Sequence, residues 1–169
     1  MKRLPSASVR VSVRGLLTIH SAPSALRSHI DWALQNILGV NAQVVWHSQP
    51  MLAGTYKSTV QWRSESGAAA EIASTLRSWH YLNFEVQESN DNGGELFRFT
   101  PELGIHRAMI DASGSVFINE NQINNVLRNS FDEDSIRQEF ANLLGNSWDE
   151  ALEKFRGAGM QEIAQLRAI

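Results

Sequence analysis

Blocks of apolar period two alternate along this chain with blocks of period three to four, and their order leaves few folds open. Val9, Val11 and Val13 alternate with Ser8, Arg10 and Ser12, and Leu17 and Ile19 resume the alternation after Gly15. Such spacing gives one apolar and one polar face, so residues 8–20 are predicted to form a strand bent at the glycine. Ser21-Ala22-Pro23 stops it. Leu26, Ile30, Ala33, Leu34 and Ile37 then predict an amphipathic helix over 23–38, with Pro23 in its first turn and Gly39 at its end. A short strand is expected at 42–48 and a longer one at 56–63, the latter with a wet face of Lys57, Thr59, Gln61 and Arg63. Ala69, Ile72, Ala73, Leu76 and Trp79 fall at helical spacing within 67–82, and Phe84 and Val86 restore period two over 83–87. The order β-α-β-β-α-β is the signature of a ferredoxin-like, split β-α-β sheet.

Further on, SNDNGG at 89–94 reads as a loop, and strands at 96–100 and 105–111 lead through Asp111-Ala112-Ser113-Gly114 into 115–119, extending the sheet by a β-hairpin. Helices follow at 120–129, 133–144 and 148–156, where Ser147 and Glu150 spell a capping box and Gly157 can close the last helix. The expectation is one α+β domain over 1–169. Within it, 1–14 are an extra strand or a flexible start, 15–88 the split β-α-β core, 95–119 additional strands, 120–157 a C-terminal helical segment and 158–169 a tail.

At 169 residues the chain is long enough to bury a sizeable core. No window approaches the ~18 consecutive apolar residues of a membrane span, so no membrane role is expected. The absence of cysteine excludes disulfides, thiolate metal sites and a cysteine nucleophile, and fits a reducing compartment. The start, MKRLPSASVRVSVRG, has no continuous apolar stretch, which argues against secretion and for a cytoplasmic location. Net charge is -3, with 15 basic and 18 acidic residues intermixed, and no basic block offers a footprint for nucleic acid.

Candidate chemistry concentrates at the first strand-to-helix junction, where His20 and Ser21 stand beside the free N–H groups of a helix start and form a candidate anion site. The plainer alternative makes Ser21 a cap and His20 a strand-end residue. His20, His29, His47, His80 and His106 show no metal-binding spacing, so neither metal nor cofactor is expected. His29 borders the buried face of its helix. Trp46, Trp62 and Trp79 either line a pocket or fill the core, and Arg63, Arg77 and His80 beside them are candidate polar groups. The ligand-binding candidates are therefore His20, Ser21, His29, Trp46, Arg77 and His80. Neither GxSxG, a P-loop nor GxGxxG occurs, and the acid pairs Asp132/Asp134 and Asp149/Glu150 sit where helix starts favour acids.

HSAPSALRSHIDWAL at 20–34, TLRSWHYLNFEV at 75–86, FTPELGI at 99–105, DASGSV at 111–116 and LGNSWDEALEKFR at 144–156, taken in order, resemble an actinobacterial domain-of-unknown-function family, family 3145. The resemblance covers residues 15–157. It implies a cytoplasmic actinobacterial protein with a hint of fatty-acid synthesis as its pathway, and it carries over no activity, cofactor or catalytic residue.

Three functions compete. A small-molecule-binding or regulatory module would use His20, Ser21 and their aromatic neighbours. A scaffold would dock a protein partner or a second copy, as a homo-oligomer, on the wet strand face or the C-terminal helices. An enzyme would use His20, His29, His80 or His106, whose ordinary pKa lies near neutrality, for acid–base work.

Overall fold

The first strand has partners on both edges, and that central position organises the rest. The structure is a computed structural model and describes residues 12–168. β1 (Ser12–Pro23) is followed by a single 3₁₀ turn (Ser24–Leu26) and α1 (Arg27–Leu38), then by β2 (His47–Ser48), β3 (Thr55–Glu65), α2 (Ala68–Leu76) and β4 (Asn83–Asn90). β5 (Gly93–Thr100), β6 (Gly104–Ile110) and β7 (Val116–Phe117) complete the sheet, and α3 (Glu120–Asn129), α4 (Glu133–Leu144) and α5 (Asn146–Arg167) follow. Among the described residues seven strands lie in the order β2-β3-β1-β4-β5-β6-β7, every neighbouring pair antiparallel. The domain is α+β.

Register sorts the side chains onto two faces. Leu17 stands opposite Val60 and Val86, and Ile19 opposite Ser58 and Phe84. With Phe97 and Phe99 these residues are buried against Ile30 and Leu34 of α1 and Ala69, Ile72 and Leu76 of α2. The intervening residues, among them Leu16, Thr18, Glu85, Gln87 and Arg98, face the other way, where α5 lies across the sheet. Trp148, Leu152, Phe155 and Arg156 of α5 recur at helical spacing; Leu152 and Phe155 are buried, and Trp148 Nε1 donates to the Gly104 carbonyl at 2.9 Å. Burial of an apolar side chain contributes roughly 1.5–3 kcal/mol, so both helical layers hold the sheet.

Several local expectations are corrected. Gly15 does not bend β1: it stays in the ladder opposite Trp62 and Glu88, and the Trp62 ring lies on it so closely that a Cβ would sit 1.9 Å from Cε2. The irregularity comes at His20, where the register shifts on both edges between Ile19 and Ser21 or Ala22. Residues 8–11 of the expected strand lie outside the described residues. The 42–48 strand reduces to two residues, because Ser58 Oγ, rather than the ladder, satisfies the Val45 carbonyl at 2.8 Å. The 89–94 loop shrinks to a turn at Asp91-Asn92, with Gly93 and Gly94 continuing the ladder opposite Asn90 and Ser89.

Ser147 caps nothing, since α4 ends on Gly145 in the left-handed region (φ 73°) and α5 begins at the next residue. The capping boxes are instead Asn119 with Gln122 and Asp132 with Ser135. Gly157 does not close α5, which runs on to Arg167. The start of α2 is held by a carboxylate from another element: buried Glu88 accepts hydrogen bonds from the N–H groups of Gly67 and Ala69.

Gly15→Ala is expected to lower unfolding stability by about 1–3 kcal/mol through overpacking against Trp62. In denaturant titrations, much of that loss should disappear when Trp62 is also replaced by alanine, as a non-additive double-mutant cycle.

Candidate functional site

Glu85 projects from the middle of β4 onto the face that α5 covers, and three ionisable side chains contact it, with a fourth, Asp149, behind them. His20 Nε2 donates to its Oε1 at 3.1 Å, Arg156 reaches both oxygens (Nε at 3.2 Å, a terminal nitrogen at 2.8 Å), and Arg98 Nε stands 3.4 Å from Oε2. Asp149, in the first turn of α5, takes the second contacts of both guanidiniums, at 3.2 Å from Arg98 and 2.8 Å from Arg156. The side chains are withdrawn from water: His20 is 6%, Arg98 13%, Glu85 20% and Arg156 26% exposed. Burial by itself raises the Glu85 pKa, but the hydrogen bonds and charges of His20 and Arg156 outweigh it and hold the carboxyl at about 2. Arg156 is desolvated too, yet its bonds to Glu85 and Asp149 raise its pKa above the ordinary arginine value.

His20 is fixed from three sides. Its ring stacks on Phe155 with centroids 5.9 Å apart, its Nε2 is tied to Glu85, and its backbone carbonyl accepts from the buried Gln49 amide at 2.6 Å. An ionised carboxylate only accepts hydrogen bonds, so the His20 nitrogen that faces Glu85, Nε2, is the one that carries a proton. Period two already puts this residue on the face of Leu16 and Thr18, the one that α5 covers, and the register shift follows at the same place.

Beside the network opens a cleft of about 450 Å³ between the β1–β3 end of the sheet and α5. His20, His47, Lys57 and Arg156 line it together with Val45, Phe155 and the hydroxyl residues Thr18 and Thr59. A smaller hollow of about 260 Å³ lies on the other side of the Glu85–Arg156 pair. The cleft thus combines an apolar wall with basic groups, and the one acid among its described lining residues, Glu85, is already engaged.

The six candidates from the sequence do not converge. His20 enters the cleft, whereas Ser21 is buried and accepts from Asn83 Nδ2 at 2.9 Å, capping no helix. Trp46, half-buried against the core on the α1 side, donates to Asp31 at 2.8 Å. His29, Arg77 and His80 are exposed on α1 and at the end of α2. Trp62 and Trp79 pack against the same core as Trp46. Sequence reasoning missed Glu85, Arg98, Arg156 and Gln49. The available signal was a charge flanked by core residues on each strand: Glu85 between Phe84 and Val86, and Arg98 between Phe97 and Phe99.

His106 serves a different corner. Its Nε2 donates to the Leu143 carbonyl at 3.2 Å, its ring meets Trp148 at 4.8 Å, and Gly145 fits against it so tightly that a Cβ would come within 2.7 Å. Burial lowers its pKa, more strongly than the backbone bonds at Asn142 and Leu143 raise it. Among the described residues no three histidine, aspartate or glutamate side chains converge as a metal-ligand group, and no helix is long and apolar enough to cross a membrane.

The fold and site define an α+β domain whose sheet is covered by helices on both faces, with an ion network and a basic cleft beneath the last helix. The chain belongs to the family described as protein of unknown function DUF3145, whose model matches residues 16–167. The match therefore reaches ten residues beyond Gly157, where the resemblance read from the sequence stops. No curated protein and no solved structure matches the chain.

The pKa shifts set the acid limb of stability. A carboxyl lowered from 4.5 to about 2 contributes stability that is complete above pH 4.5 and disappears as pH falls towards 2, on the order of 3 kcal/mol for Glu85. His106, lowered on folding, adds a milder loss as pH drops below about 6.5. Urea midpoints measured from pH 7 to 2 should show both limbs, with Glu85→Gln flattening the lower one and His106→Gln the upper one.

Proposed function

We propose that this domain binds a small organic anion in the cleft under α5. The observation that carries the reading is the convergence of His20, His47, Lys57 and Arg156 around the apolar Val45 and Phe155. A carboxylate met by cationic donors, with a hydrocarbon portion against Phe155, matches that lining. Its volume of about 450 Å³ suits a metabolite-sized ligand, and acyl or amino-acid-derived acids are the class we favour. That class is compatible with a cytoplasmic role near fatty-acid synthesis in an actinobacterium. The element order from β1 to β4, with strands ordered β2-β3-β1-β4, supports reading the first half as a ferredoxin-like unit onto which the hairpin strands and C-terminal helices are built.

A second reading is favoured by one specific feature. His20, oriented by ionised Glu85, shares the cleft with His47, so acid–base chemistry on the bound anion has two imidazoles available. Of the catalytic histidines considered from sequence, only His20 belongs to it, because His29 and His80 are exposed elsewhere and His106 supports the α4–α5 corner.

Thermal-shift titration with a panel of short- and medium-chain carboxylic acids tests the binding reading. At least one acid should raise Tm saturably, by the increment expected for a ligand that binds only the native state. Lys57→Gln and His47→Gln should weaken it about tenfold each, as loss of a charge-assisted hydrogen bond does. A panel without a saturable shift, or one whose shift both variants retain in full, excludes the cleft as an anion site.

A further inference from the structure

At the opposite end of the sheet from His20, two arginines face each other across adjacent strands. Arg14 of β1 is the direct register partner of Arg63 of β3, on the face that carries Leu16, Thr18 and Glu85. Side chains so paired have Cβ atoms about 5 Å apart, and like charges directly opposite destabilise a sheet. The compensation visible in the structure is slight. Asp91, in the β4–β5 turn, stands 3.8 Å from Arg14 and is 99% exposed, while Arg63 has neither a hydrogen bond nor an ion pair among the described residues. Around the pair lies a cavity of about 600 Å³, whose polar wall includes Gln61, Gln87 and Ser89 and whose apolar wall includes Leu16 and Ala112.

We propose that Arg14 and Arg63 form a second ligand site, one that takes the phosphate group of a phosphorylated small molecule. Two guanidinium forks set side by side offer more positive charge than a single carboxylate neutralises, and their planar donor pairs match the oxygens of a phosphate dianion. Amide and hydroxyl groups of Gln61, Gln87 and Ser89 add donors at the rim. The remaining volume accommodates an organic portion against Leu16 and Ala112. In a chain of net charge -3 this is a local reversal of sign that draws in anions. The site is separate from the cleft under α5 and stands or falls without it.

The test is an amide NMR titration of the full chain with pyrophosphate, in buffer held at about 0.15 M ionic strength so that diffuse attraction is screened. Saturable shifts at Gly15, Leu16, Gln61 and Gln87 are expected. The Arg14→Gln/Arg63→Gln double variant should weaken binding by about tenfold or more, while Lys57→Gln leaves it within twofold. Arg14 is 69% exposed and Arg63 is also at the surface, and relief of their repulsion leaves the double variant with a Tm no lower than that of the parent chain, which confirms that its fold is intact. Shifts that grow linearly without saturating, that sodium chloride reproduces, or that persist in the folded double variant overturn the proposal.

Discussion

One carboxylate joins the two halves of this molecule. Glu85 sits at the centre of the sheet, and the groups that hold it come from β1, β5 and α5, separated from it by up to 71 positions in sequence. Without Glu85, Arg98 would keep only its contact with Asp149, which Arg156 shares, and His20 would lose its side-chain hydrogen-bond partner. Breaking such a pair from one side costs more than the pair itself contributes, because the remaining charge is left buried. The network therefore specifies where α5 lies as much as it stabilises the fold, and the cleft exists because α5 lies there.

The order of elements was legible in the sequence. Period-two and period-three-to-four blocks placed β1, α1, β3, α2, β4 and the later helices, since a half-buried strand or helix must carry its pattern in its own residues. Less legible was anything set by a neighbour. Val44 and Trp46 alternate with exposed Val45 as in a strand, yet that segment gains its register from a serine side chain and hardly enters the ladder. Gly15, read as a bend, is a seat for Trp62. The Asn-Gly run at 89–94 looked like a long loop because its glycines were counted as breakers, whereas Gly94 is wanted for the close approach of Glu88 and Ser89 across the ladder.

The site was harder to read for the same reason. His20 could be singled out by type and position, but its partners are ordinary charges with no local spacing to link them. Glu85 and Arg98 are cross-strand neighbours, which becomes visible only once the β4–β5 register is known. Arg156 and Phe155 looked like a helix surface and a packing aromatic until α5 was laid across the sheet. The wet strand face of Lys57, Thr59, Gln61 and Arg63 was recognised as a unit, and it now divides between two hollows, Lys57 and Thr59 in the cleft and Gln61 and Arg63 at the far end.

The central place of β1 also governs how the chain reaches this state. β4, β5 and β6 are sequential and joined by turns of two and three residues, so they can zip together locally. β1 must wait: its ladder partners lie from 32 positions away (Pro23 with Thr55) to 75 (Arg14 with Ser89). Closing loops of that length precedes any reward from the contacts they bring, which disfavours early insertion of β1 between β3 and β4. Because β1 precedes both of its neighbours in the chain, during synthesis its second edge has no partner until β4 has been made.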